Sequence, residues 1–225
     1  MVGFFDSGVG GTCVLEAFRR LCPEEPTVYV ADTENCPYGN KPPEEIVRLS
    51  KRIAADLIDR GCEVVVVACN TATAGAIDTL RATWPDVPFV GMEPAIKPAA
   101  LGSKTGVVGV LATRGTFNGR LYRQTSLRVP GSVKIIEAVA DEFVTFVERG
   151  ETAGSAVESA VRARLEPLLA AGADRIVLGC THFPHLKPVM EKVVAGRAEI
   201  VDPSDAVARR VRDVLQTARR AKHED

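Results

Sequence analysis

The chain predicts an α/β fold of two similar parallel-sheet domains that face each other across an active-site cleft. Three observations carry this: strand and helix signals alternate from end to end, the strands are near-continuous apolar runs such as Val64-Val65-Val66-Val67, and the two halves repeat one another in order. Apolar strands alternating with amphipathic helices belong to parallel sheets covered on both faces. A length of 225 residues accommodates one large domain or two small ones. The repeat sets the expected division, with residues 1–94 and 200–225 in the first domain and 95–199 in the second.

In the first half, Val2 to Phe5 is a short strand and Gly8-Val9-Gly10-Gly11 a turn. A helix follows with Leu15, Phe18 and Leu21 on one face, ended by Pro23. Thr27 to Ala31 is the second strand, and residues 37–43 are a loop containing Tyr38 and Gly39. Residues 44–59 form an amphipathic helix with Ile46, Leu49, Ile53 and Leu57 inward and Gly61 at its stop. The valine strand runs into Cys69, a helix continues to Ala82, and Val87 to Val90 is another strand.

In the second half, Gly106 to Leu111 is a strand ending in Ala112-Thr113-Arg114-Gly115-Thr116. A helix over residues 155–171 opens on Ser155 with Glu158 three residues on, a capping-box pattern, and stops at Gly172. Pro167 is expected to kink or divide it. Arg175 to Leu178 is a strand leading into Gly179-Cys180-Thr181-His182. The last helix starts near Asp202-Pro203-Ser204 and places Val207, Val211, Val214 and Ala218 on one face.

Composition narrows the functional classes. The net charge is −1 with both signs interspersed, so no electrostatic footprint for nucleic acid is read. Arg219-Arg220-Ala221-Lys222 reads as a solvated helix end. No apolar run approaches the ~20 residues of a membrane span. Asp6 interrupts the start where a signal peptide would be apolar, so no membrane is expected and a cytoplasmic setting is. The six cysteines form no C-x-x-C pair and only His182 lies near any of them, which argues against a metal site. They are expected as free thiols, with Cys13, Cys22, Cys36 and Cys62 serving packing, and His185 and His223 are read as surface residues.

The chemistry gathers where the halves match. Each has a strand ending in small polar residues and, sixty-odd residues later, a strand ending in a cysteine beside a threonine. Ligands of such sheets bind outside the carboxyl ends of the strands, so facing domains bring Cys69 and Cys180 to opposite walls of one cleft. A cysteine at a strand-to-helix junction lies near helix N–H groups that favour the thiolate. Asn70, Thr71 and Thr181 supply neutral donors that hold a carboxylate without an arginine. Two thiols on opposite sides of a carbon fit a task in which one removes a proton and the other returns one. Asp6 and His182, also at strand ends, are placed to tune or relay those protons. The loop from Asp6 to Thr12 lacks the Gly-Lys-Ser/Thr ending of a P-loop, and the third glycine of a dinucleotide fingerprint would fall at Cys13. Its glycines instead suit the approach of backbone N–H groups to a small anionic ligand.

At these residues the chain resembles the cofactor-independent glutamate racemases of the aspartate/glutamate racemase superfamily, along nearly its whole length. The marks are FFDSGVGG (4–11), Ala31-Asp32, CPYGNK (36–41), VVACNTA (66–72), VGMEPAIKPA (90–99), Val147-Glu148-Arg149-Gly150, LGCTHFPHL (178–186) and Val201-Asp202. The resemblance implies that Cys69 and Cys180 are the catalytic bases, working without pyridoxal phosphate or metal. It implies that Asp6, Ser7, Tyr38, Gly39, Asn70, Thr71, Thr181 and His182 surround the amino acid, with Asp6 and His182 assisting their neighbouring thiols. Glu148 matches a glutamate near the cleft, and Cys180 is assigned the L face. D-Glutamate, the implied product, is a building block of bacterial peptidoglycan, and members often form homodimers. The chain departs from the family at Cys13, where a small residue is usual, and at Glu137 to Val147, where many members carry Cys-Pro. Racemisation of aspartate or a related small amino acid is the alternative within the superfamily. Outside it stand hydrolysis by one cysteine with His182 as base, and a binding protein that closes on an anionic metabolite.

Overall fold

A computed structural model describes residues 1–224; the side chains of Leu121 and of residues 222–224, His223 among them, lie outside the description. The elements run β1 (Val2–Asp6), α1 (Thr12–Leu21), β2 (Thr27–Ala31), α2 (Pro43–Asp59), β3 (Val64–Val67), α3 (Asn70–Thr83) and β4 (Phe89–Gly91). They continue as α4 (Ile96–Gly102), β5 (Val107–Ala112), α5 (Arg114–Asn118), α6 (Arg120–Leu127), β6 (Lys134–Val139) and α7 (Asp141–Glu148). The last are α8 (Ser155–Ala170), β7 (Arg175–Leu178), α9 (Lys187–Val194), β8 (Glu199–Val201) and α10 (Ser204–Glu224). Two compact units result: Met1–Met92 with Ser204–Asp225, and Glu93–Pro203. The sequence placed the divisions at 94/95 and 199/200. Residues 200 and 201 fall in the second unit because Ile200 and Val201 pair with Ile176 and Val177 of β7.

The first unit is built on a parallel sheet of order β2-β1-β3-β4, and the pleat explains its sequence. Alternate side chains leave opposite faces. Phe5, Val65 and Val67 therefore enter a core with Leu49, Ile53 and Leu57 of α2 and Leu80 of α3. Val2, Phe4, Val64 and Val66 enter a second core with Leu15 and Phe18 of α1 and Val207, Val211 and Leu215 of α10. Both faces of β3 are buried, hence four consecutive valines. Leu21, expected on the inward face of α1, is exposed in its last turn. β4 begins two residues later than expected, beyond Pro88, which has no N–H to give a ladder.

The second unit repeats the topology as β6-β5-β7-β8, again parallel. On one face Val108, Val110 and Val177 pack with Ile96, Ala99 and Ala100 of α4 and Tyr122 of α6. The expected capping box of α8 does not form. Gly154 is the N-cap and makes no side-chain bond, while Glu158 pairs with Arg162 and Lys192. Pro167 lies inside α8 without dividing it. It forfeits one hydrogen bond, and the buried stripe Val157, Val161, Leu165 and Leu168 holds the helix across the loss.

One ion cluster fastens α10 to the first unit. Arg219 donates to Glu63 at 2.7 Å and to Glu25 at 2.8 Å, and the N-terminal ammonium also reaches Glu63 at 2.7 Å. The hydrogen bond from Arg219, then that from the ammonium, lowers the Glu63 pKa to about 2. A depressed carboxylate stabilises the fold above its unfolded value and loses that contribution as pH falls through the folded one. Acidification from about pH 5 to about pH 2 is expected to remove ~1–2 kcal/mol through this group, after allowance for solvent screening. In denaturant titrations Glu63→Gln should lack that component of the pH dependence.

Candidate active site

In the first unit the site residues collect beyond the carboxyl ends of β1 and β3. Cys69 is the N-cap of α3, and its Sγ accepts the N–H of Ala72 at 3.4 Å while the thiol donates to Ser7 Oγ at 3.8 Å. This is the physical sense of a cysteine following the valine strand: the junction sets a sulfur among unpaired helix N–H groups. Burial nonetheless pushes the Cys69 thiol well above its ordinary pKa, and the Asp6 carboxylate adds to the rise; the N–H of Ala72 and the N–H and hydroxyl of Ser7, as donors to the thiolate, oppose it. Cys69 therefore rests as a neutral thiol.

Asp6 is fully buried, and its Oδ2 accepts the N–H groups of Gly8 at 3.2 Å and Gly11 at 3.1 Å. The sequence assigned such loop donors to an anionic ligand; these two are taken by the protein's own carboxylate. A Cβ on Gly11 would stand 2.8 Å from the carbonyl oxygen of Ala68, so the turn passes too close to β3 for any side chain. Asn70 and Thr71 are buried in the first turn of α3, and neither polar atom of the Asn70 amide has a partner.

Tyr38 is buried in the same core as Cys69, and Gly39 beside it is half-buried. The Tyr38 hydroxyl donates to Asp32 at 2.6 Å, and Asp32 also accepts from Asn35 at 2.9 Å and Arg52 at 2.8 Å. Burial foremost, then the bond and charge of Asp32, and then the nearby Cys69 sulfur, raise the Tyr38 pKa. The phenol stays protonated with its one hydrogen committed to Asp32, so toward a ligand it can only accept. The sequence quoted Asp32 without giving it this role. Asp32→Ala should lower stability by ~1–3 kcal/mol in thermal melts, since it orphans a buried hydroxyl.

In the second unit Cys180 follows β7 as Cys69 follows β3. Cys180 Sγ lies 3.8 Å from His182 Nδ1, and His182 Nε2 lies 2.5 Å from Glu148 Oε1 at the end of α7. With its Nε2–H directed to the carboxylate, His182 presents Nδ1 as an acceptor to the thiol. A Cβ on Gly179 would lie 2.9 Å from Ala112 Cβ, the counterpart of the tight approach at Gly11. Thr181 is buried, as are Thr113 and Thr116, whose hydroxyls lie 3.1 Å apart. Thr113 follows β5 as Ser7 follows β1; the sequence showed this match as part of the repeat without marking Thr113 as a site residue.

The six cysteines are all free. Cys62 is buried in packing, and Cys13 accepts a hydrogen bond from Ser204 at 3.3 Å. His185 is half-buried, where the surface was expected, and the His223 side chain lies outside the described residues.

Two parallel α/β units of one topology, each with a thiol at the same strand end and an acid–base group beside it, define a class of two-domain enzyme that works on carbon acids with cysteine. The family model described as Asp/Glu/Hydantoin racemase matches residues 12–211, and the chain belongs to that family. It is 46% identical over 217 residues to a glutamate racemase from Herpetosiphon aurantiacus, covering 96% of this chain and 85% of that protein. Its fold matches the crystal structure of Escherichia coli glutamate racemase in complex with L-glutamate and the activator UDP-MurNAc-Ala, with a TM-score of 0.88 and 35% identity over 96% of this chain and 82% of that one. It also matches glutamate racemase from Francisella tularensis in complex with D-glutamate, with a TM-score of 0.83 and 26% identity over 97% and 81% of the two chains. Among the described residues no helix is long and apolar enough to cross a membrane.

Proposed function

We propose that this chain interconverts L- and D-glutamate by a two-thiol mechanism that needs neither pyridoxal phosphate nor metal. The observation that carries the reading is the equivalence of Cys69 and Cys180, each placed after the third strand of its own sheet in the order edge, first, third, fourth. Family membership and similarity to glutamate racemases give the reaction type and substrate. Each sulfur acts on the α-carbon of glutamate, one removing its proton and the other supplying the new one.

For L-glutamate, Cys180 enters as the thiolate, its proton having passed to Nδ1 of His182, which Glu148 holds in place. The Sγ of Cys180 removes the α-proton and the electron pair spreads into the α-carboxylate. Cys69, resting as a thiol, gives its proton to the opposite face. D-Glutamate leaves with Cys180 protonated and Cys69 as the thiolate, and the reverse reaction starts from that state. Asp6 relays the proton that restores Cys69. Asn70, Thr71, Thr181 and Ser7 hold the carboxylates, which gives the unpartnered Asn70 amide its ligand. Tyr38 accepts from the α-ammonium beside Gly39.

The product serves peptidoglycan synthesis, and we place the enzyme in the cytoplasm as a homodimer. The test is polarimetry. Optical activity of L-glutamate should decay to zero, and kcat/KM for L-aspartate should be at least ~100-fold lower, because its shorter side chain leaves buried polar groups unpaired. Equal rates on the two substrates would move the assignment to aspartate.

A further inference from the structure

Charge is not spread evenly along the chain. Residues 94–136 contain Lys97, Lys104, Arg114, Arg120, Arg123, Arg128 and Lys134 and not one Asp or Glu, in a chain whose net charge is −1. All seven cations are exposed, and the same segment carries Leu101 at 68% and Leu127 at 85% exposure.

The fold gathers part of this segment at one end of the second unit. α4 and α6 pack against each other, and each ends where β5 or β6 begins. Lys134 N–H donates to the Gly106 carbonyl at 2.7 Å, which ties the starts of those strands together. Leu101, Lys104, Leu127, Arg128 and Lys134 therefore share the amino-terminal edge of the sheet, whereas Cys180 follows the carboxyl end of β7. Where β7 and β8 begin, Glu199 is paired with Arg175, and Asp174, which accepts from Ser103 Oγ and from the N–H groups of Lys104 and Thr105, keeps its negative charge, so Lys104, Arg128 and Lys134 leave the edge net positive. Among the described residues Lys104, Arg128 and Lys134 form no ion pair.

We propose that this edge of the second unit is a docking surface for an anionic lipid bilayer. A chain without a spanning helix can still lie on a membrane, held by cations at the headgroups and apolar side chains at the acyl boundary. Charge complementarity selects an anionic partner. The two leucines favour a bilayer over a nucleic acid, whose phosphates gain nothing from exposed apolar side chains. Docking by this edge leaves the Cys180 end of the unit turned to solution.

The experiment is cosedimentation of the full chain with vesicles at low salt. Binding to phosphatidylglycerol-rich vesicles should exceed binding to pure phosphatidylcholine vesicles by at least about fivefold and fall as salt screens it. Leu127→Asp with Arg128→Glu, and separately Lys104→Glu with Lys134→Glu, should each lower that binding about fivefold with circular dichroism and racemisation unchanged. Absence of binding, equal binding to neutral vesicles, or indifference to both double variants overturns the proposal. Preference for duplex DNA over vesicles overturns it in favour of a polyanion site, and conversion of an oligomer to monomer by the variants overturns it in favour of a self-association surface. Vesicle binding is read without any activity, so failure of the glutamate assignment would leave this test intact.

Discussion

Cys69→Ser and Cys180→Ser are each expected to lower glutamate racemisation by at least about a thousandfold, with melting temperature little changed. The substitution keeps the shape of the side chain and its hydrogen bonds. It replaces a thiol by an alcohol, which in the same surroundings gives up its proton far less readily. Both variants should be equally crippled in the two directions. A hydrolase using a single cysteine would tolerate the loss of the other, and a binding protein would show no turnover to lose. Near-normal racemisation by either variant would end the two-base assignment.

Asp6→Asn and His182→Asn carry the second large effect, about tenfold or more in kcat/KM. L- and D-glutamate have equal free energy in water, so no variant can slow kcat/KM in one direction alone. The asymmetry emerges in isotope effects. In Asp6→Asn the proton transfers at Cys69 become limiting. α-Deuterated D-glutamate, from which Cys69 abstracts, should then show the larger substrate isotope effect. α-Deuterated L-glutamate should show the smaller one, with a solvent effect in its place. His182→Asn should give the mirror pattern. Asp6→Asn should also lower the Cys69 pKa, because a negative charge that opposes the thiolate has gone. Thiolate absorbance followed against pH in a Cys180→Ala background checks the sign. An upward shift would mean that Asp6 acts chiefly through the loop it anchors.

Much of this was legible before any coordinates. Continuous apolar runs located β1, β2, β3, β5 and β7, and period-3.6 patterns located α2 and α10, whose buried faces repeat regularly. The elements around β5, namely α4, α5, α6 and β6, were not legible. α4 spans seven residues with Pro98 inside, α5 five, and β6 is an edge strand with no fully buried residue, so none writes a clean stripe. The two cysteines were found from their strand ends. Their partners were harder: His182 and Glu148 lie 34 residues apart, and Asp32 works through a tyrosine hydroxyl and Arg52 that only folding assembles. The glycine loop misled, since donors that could receive a ligand turn back on Asp6. The net charge of −1 carries no information on how charge is distributed, and residues 94–136 hold seven cations and no acid.

The most direct measurement is the label on the first product formed from protiated L-glutamate in deuterium oxide. Two opposed thiols predict that every early D-glutamate molecule carries α-deuterium while unreacted L-glutamate remains α-protiated, since the group that takes one hydrogen is not the group that delivers the other. Early D-glutamate that keeps its original α-hydrogen would mean one base serving both faces, and would contradict the account.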